Sequence, residues 1–319
     1  MSAVVAPTRH LLQRFLSHRL AVLSVVLLFC IVSIAIFAPW LTKIDPNAID
    51  QLHWNGYPLA PGVAGHLLGT DESGRDLLAR LMYGARVSLT VALGAVAMQI
   101  VIGTALGAVA GYYGGWVDYV IMRSVDVVLS IPLLPLLLVL TAIVADTSNK
   151  AALSFGTIIL IIGLLSWPSV TRLVRADFLS LREKEYIEAA RAIGCSDARI
   201  IIRHLLPNAI APIIVQATLA VADVIITEST LSFLGFGIQP PTASWGNMLA
   251  NAEANMPIAP WAAIFPGLCI FVTVLAVSYV GDGLRDAFDP HFNPENRPQS
   301  RGARAAFGRK VEPSAEVPT

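Results

Sequence analysis

Six apolar runs, separated by short polar stretches, leave this chain few ways to fold. The first, residues 20–38, carries no charged side chain. About 20 apolar residues in a helix cross roughly 30 Å of hydrocarbon. In that medium each backbone amide and carbonyl must find its partner inside the protein, which selects helices or closed barrels. Further runs occupy residues 87–111, 127–145, 151–171, 205–236 and 260–280. Only 14% of the residues are charged and 55% are hydrophobic, against about a quarter charged in soluble domains. The reading is an all-α, multi-pass membrane protein with six transmembrane helices. A cleaved signal peptide has a shorter apolar core of about 7–15 residues, and Ser33-Ile34-Ala35 is only a weak cleavage site.

The connecting stretches divide the chain. Residues 1–19 hold Arg9, Arg14 and Arg19 and no acid, with Leu11, Leu12, Phe15 and Leu16 on one helical face. That pattern suits a short helix on anionic membrane lipid or a disordered basic tail. Residues 39–86 read as an irregular loop; a helix start at Ser73 with Asp76 three residues on predicts an interfacial helix with Leu77, Leu78, Leu81 and Met82 on one face. The core domain is residues 87–280. Gly103, Gly107 and Gly111 recur every four residues, so they align on one helix face where another backbone can approach closely. Gly114-Gly115 predicts a tight turn, Pro132 and Pro135 a kink or break in the third span, and Pro168 a kink in the fourth. Arg123 and Asp126 suit a structural pair. Residues 237–255 read as a polar loop, and residues 281–319 as a disordered tail.

Basic residues set the orientation. Under six spans the N-terminus, the segment carrying Arg172, Arg175, Arg182, Lys184, Arg191, Arg199 and Arg203, and the tail share one side. Their excess over the opposite side places both termini in the cytoplasm. Formal net charge is zero, so no bulk field points to nucleic acid. Cys30, Cys195 and Cys269 are too scattered for a disulfide or metal set.

The segment at residues 180–207 is amphipathic and charged. Ser180 and Glu183 fit a capping box. Tyr186, Ala189, Ala190 and Ile193 form an apolar stripe, and Gly194 suits a left-handed helix end. Ser196 and Asp197 then open a second helix with Ala198, Ile201, Ile202 and Leu205 in a stripe, and Pro207 fits the first turn of the next membrane helix. The small Ala189-Ala190 pair would admit a closely packed partner, flanked by Glu188 and Arg191. A loop packed on its own bundle is the alternative.

Glu188-Ala189-Ala190, then Gly194, then His204-Leu205-Leu206-Pro207 closely resembles the EAA loop of ABC importer permeases. The general pattern has Ile where His204 stands, though His is common there in one branch. Gly69-Thr70-Asp71-Glu72-Ser73-Gly74-Arg75-Asp76, Tyr83-Gly84-Ala85-Arg86, the run from Glu228 to Gly237, Gln239-Pro240-Pro241 and Ser244-Trp245-Gly246 are similar to that branch, the dipeptide/oligopeptide/nickel permeases, and to their C-type subunit. Ala243 departs from an expected proline. The resemblance covers roughly residues 10–290. It implies a type I ABC importer permease fold in a bacterial inner membrane. It also implies a coupling helix at Tyr186–Asp197 that seats in an ATPase subunit. Expected partners are a related second permease forming a heterodimer, two ATP-binding subunits and an extracytoplasmic solute-binding protein. ATP and Mg are expected on those ATPases and no cofactor on this chain. No Lys precedes Ser or Thr, so a P-loop is missing. Dipeptides, oligopeptides, nickel chelates and glutathione remain open as substrates.

Asp223 and Glu228 fall within the fifth apolar run. Charges there face a cavity or a partner, so they either line the translocation path or pair structurally. A proton-coupled secondary transporter using these acids is the alternative function; it leaves the 180–207 segment without a purpose. An enzyme is not expected: HExxH is absent and the six histidines lie outside span centres.

Overall fold

The computed structural model describes residues 13–147 and 155–288. Among them the secondary structure is helical, with isolated bridges in place of strands. In chain order the helices are α1 (Arg19–Leu41), α2 (Leu77–Tyr113), α3 (Gly115–Ser130), α4 (Leu133–Thr147), α5 (Phe155–Leu165), α6 (Trp167–Leu181), α7 (Glu185–Ala192), α8 (Asp197–Ile200), α9 (Leu206–Phe233), α10 (Trp245–Glu253) and α11 (Trp261–Phe288). Four stretches are long and apolar enough to span alone: α1, α2, Asp197–Phe233 and α11. The pairs α3/α4 and α5/α6 bring the count to six, each pair being one bent span.

The bends follow from proline. Ile131 is extended, as a residue before proline tends to be, and α3 meets α4 at 84°. Ser166 interrupts the fourth span, and Pro168 sits in the first turn of α6, where its missing amide hydrogen is tolerated. That bend is 42°. Residues 148–154, most of the tail and most of the N-terminal segment lie outside the described residues.

Four expectations need correction. The separate interfacial helix does not exist: residues 77–86 are the first turns of α2, capped by Asp76, whose Oδ1 accepts from the Ala79 amide at 2.7 Å. Arg80 is accommodated there by burial against Asp71 (3.1 Å) and the Pro46 carbonyl (3.1 Å). The polar loop at 237–255 contains α10, started by a capping box between Ser244 and Asn247. The sixth helix runs on to Phe288, past the assigned start of the tail at 281. Ser180 does not cap a helix; it lies inside α6, and α7 begins after Lys184 without a side-chain cap.

Packing explains why α2 and α6 form the tightest seam. A Cβ at Gly103 would lie 2.5 Å from Val170 Cβ, at Gly107 2.7 Å from Val174 Cβ, and at Gly111 2.5 Å from Phe178 Cβ. The three glycines therefore admit the α6 backbone at a separation no other residue permits. Val170, Val174 and Phe178 are fully buried there. Truncating a buried Phe of this kind costs about 3–5 kcal/mol. Arg175 forks onto both oxygens of Asp118, tying α6 to α3 as well. At the other side α1 lies against α11, with Ala21 packed on Gly283.

The loop before α2 is fastened by charge. Arg75 Nε donates to Asp71 at 2.7 Å, and His66 bridges Asp76 (2.7 Å) and Asp50 (3.2 Å). The oxygens of Asp76 thus serve both the α2 cap and this histidine.

Candidate docking surface and membrane cavity

The segment joining α6 to α9 is held from behind and open in front. Ile187 and Ala190 are buried in a cluster with Ala108, Tyr112, Val174 and Phe178. Tyr186 and Ile193 are exposed, Ile193 by 80%, as are Glu188, Ala189 and Arg191. The expected stripe of Tyr186, Ala189, Ala190 and Ile193 therefore divides: Ala190 faces the bundle, and the other three face outward. The inward face is set by Ile187, one residue out of the assigned register.

The turn after α7 has one solution. Gly194 adopts φ +79°. Its amide donates to the Arg191 carbonyl at 2.9 Å, and the Cys195 amide donates to the Ala190 carbonyl at 3.0 Å. This is the Schellman arrangement, which glycine enters without strain. Ser196 precedes α8 but makes no side-chain cap. The expected second amphipathic helix is instead one turn, α8, continued by a π-helical stretch (Ile201–Leu205) into α9. Its buried residues are Ile200 and Leu205, while Ile202 is 65% exposed. Tyr112, at the end of α2, donates its hydroxyl to Asp197 at 2.6 Å, and the Arg191 guanidinium lies 5.4 Å from the centre of its ring. Arg182 donates to the Gly111 carbonyl at 3.1 Å. The loop is thus anchored to the same α2 end that the glycine seam fixes on α6.

Asp223 and Glu228 have different surroundings. Glu228 is fully buried and lies in a hydroxyl network: Ser232 Oγ donates to it at 2.7 Å and Ser88 Oγ at 3.3 Å. Ser88 in turn accepts from the Trp245 amide at 3.3 Å, so the network joins α2, α9 and α10. Asp223 instead lines a cavity of about 320 Å³ with Gln99, Ser166, Gln216 and Thr227. Both helix breaks border it, at Ile131-Pro132 and at Ser166 to Pro168. Arg123 and Asp126 are not paired with each other; Asp126 accepts from Arg172 at 2.7 Å, and Arg123 lies over the Tyr119 ring at 5.6 Å. Gln99 and Gln216 within the apolar runs, and Tyr112 just past the second run, carry no charge that would mark them in the sequence. Uncharged amides within a span were the available signal.

Residues 103–294 match the family model described as binding-protein-dependent transport system inner membrane component, and residues 6–61 match the N-terminal TM domain of oligopeptide transport permease C. The chain is 40% identical to the dipeptide transport system permease protein DppC of Alkalihalophilus pseudofirmus, over 90% of both chains. It is 39% identical to the glutathione transport system permease protein GsiD of Pectobacterium atrosepticum, over 90% of this chain and 92% of that one. Identity to the oligopeptide transport system permease protein OppC of Haemophilus influenzae is 37%, over 87% and 86%. Among solved structures, an inward-facing conformation of the MetNI methionine ABC transporter shares the fold, with a TM-score of 0.53 at 18% identity, over 66% of this chain and 97% of that one.

Proposed function

The chain belongs to the binding-protein-dependent transport system inner membrane components, and from that membership we propose that it is the C-type permease subunit of a peptide-type ABC importer. It forms half of the translocation pathway with a related second permease. It is driven by two ATP-binding subunits that carry ATP and Mg, and it receives solute from an extracytoplasmic binding protein. The permease itself is not an enzyme; it converts a contact with the ATPases into movement of its helices. Both termini and α7 lie in the cytoplasm on this reading, because the basic residues gather there.

One observation carries the coupling role: α7 is pinned by Ile187 and Ala190, yet leaves Tyr186, Ala189 and Ile193 facing outward. An apolar patch on an otherwise charged segment marks a contact site. Burying the Ile193 side chain on a partner contributes about 1.5–3 kcal/mol. Glu188, Arg191, Ser196 and Asp197 surround that patch, with Gly194 shaping its edge. A rigid, partly apolar helix end of this kind responds to a partner that contacts it differently in two states, which is what an energetic coupling requires.

Asp223 lines the path within the membrane, and Glu228 holds α2, α9 and α10 together. The coupling role is tested at Ala189, because Ala190 points inward. In Ala189→Asp, membrane levels stay normal while solute uptake and its stimulation of ATP hydrolysis fall at least about tenfold, the loss of roughly 1.4 kcal/mol of contact. A cysteine at Ile193 forms a crosslink to the ATPase subunit. Normal uptake in Ala189→Asp together with no crosslink from position 193 would sink the coupling assignment.

A further inference from the structure

The cavity beside Asp223 combines features that a passive water channel does not need. Gln99 is 3% exposed over the residue as a whole and lines the cavity. Asp223 has no ion-pair partner among the described residues. It lies in the second half of α9 and is exposed to the cavity, and an acid within a span faces a cavity or a partner. These two groups, on α2 and α9, share one cavity with Gln216 and Ser166.

Both helix breaks border the cavity, each with the C-terminal end of one half-helix, α3 or α5, beside the N-terminal end of the next, α4 or α6. Pro132 and Pro168 stand at those N-terminal ends and carry no amide hydrogen, which removes one donor from each. The volume, about 320 Å³, lies at the lower end of the range for small-molecule sites, about 300–1,000 Å³.

The geometry points to a subsite for a primary ammonium group, in which the Asp223 carboxylate supplies the charge and the Gln99 carbonyl the second acceptor. This rests on the reading of Asp223 as a path residue and adds what it recognises there. The site takes the free amino end of a solute, ranks it above a blocked one, and rejects a lone anion. Gln216 and Ser166 contact the neighbouring polar atoms of the solute.

The test uses the full chain in membranes with its partners, its three native cysteines replaced by alanine, and a single reporter, Gln216→Cys. Modification of Cys at that position by neutral methyl methanethiosulfonate is timed with and without alaninamide, which carries an ammonium and no carboxylate. N-acetylalaninamide is the uncharged control. Alaninamide slows modification, the acetylated compound does not, and Asp223→Asn weakens the protection by about tenfold or more, as expected for loss of a charged hydrogen bond. Gln99→Leu weakens it to a smaller degree, and Asp223→Glu retains part of it. A reporter that never reacts means that water does not reach the cavity, and both the path reading and the subsite fall. A reporter that reacts, but is protected equally in Asp223 and Asp223→Asn or not protected at all, overturns the ammonium subsite and leaves the path reading standing.

Discussion

His66 stands between two carboxylates in the loop before α2. Partial removal from water opposes its charged form, but the hydrogen bonds and charges of Asp76 and Asp50 outweigh this and raise its pKa above 6.5. For Asp50 desolvation pushes upward, and hydrogen bonds from His53, His66 and the Leu52 and His53 amides overcome it, holding the carboxyl at about 2. The signs differ. The His66 contribution to stability is complete below its unfolded value and is lost as pH rises through its raised folded one. The Asp50 contribution is complete above 3.8 and is lost as pH falls through about 2. Both are therefore full between about pH 4 and 6.5. Thermal unfolding of the solubilised chain should be most resistant in that window and decline on the alkaline side. His66→Gln flattens that alkaline decline; an unchanged slope in the variant would assign it elsewhere. Little of this was legible beforehand. The residues Asp71, Arg75 and Asp76 stood out as a motif, but Asp50 and Pro46 come from irregular chain, where no period announces a partner.

Helix ends and turns divide into those with a local chemical signature and those without. Gly194 was readable because a left-handed helix end needs what glycine offers. An added Cβ there meets nothing within 4 Å, so Gly194→Ala suffers only the backbone penalty, about 1–2 kcal/mol. The expected outcome is faster amide hydrogen exchange across residues 185–195, with Gly194→Asn milder than Gly194→Ala; equal protection in all three would mean that the turn is held from outside. The apolar runs gave the spans because hydrocarbon thickness sets a minimum length. They did not give the ends, since α6 and α11 continue as helices through Leu181 and Phe288 after the apolar stretch is over. Ser180 misled for the same reason: a capping pattern has meaning only where a helix starts, and here one was still running.

For the whole molecule, pairing between distant elements decides function, and that was the least visible level. Asp223 was marked as a charge in a span, but its position beside Gln99 and both helix breaks depends on how α2, α5, α6 and α9 come together. Sidedness is open to direct test: a fluorescent protein fused after Phe288 should glow and a periplasm-dependent phosphatase at the same point stay inactive, whereas the reverse would invert the topology. The α2–α6 seam has one more consequence. Gln99 lies one turn before Gly103 on α2, Ser166 immediately precedes α6, and the segment carrying α7 leaves the far end of α6 and is anchored to the far end of α2 by Tyr112. With three glycines removing the slack between the two rods, a push on α7 has no compliant layer in which to dissipate. Should a partner displace α7 as proposed, α2 and α6 would answer as one body rather than as two sliding rods, like a shaft without backlash.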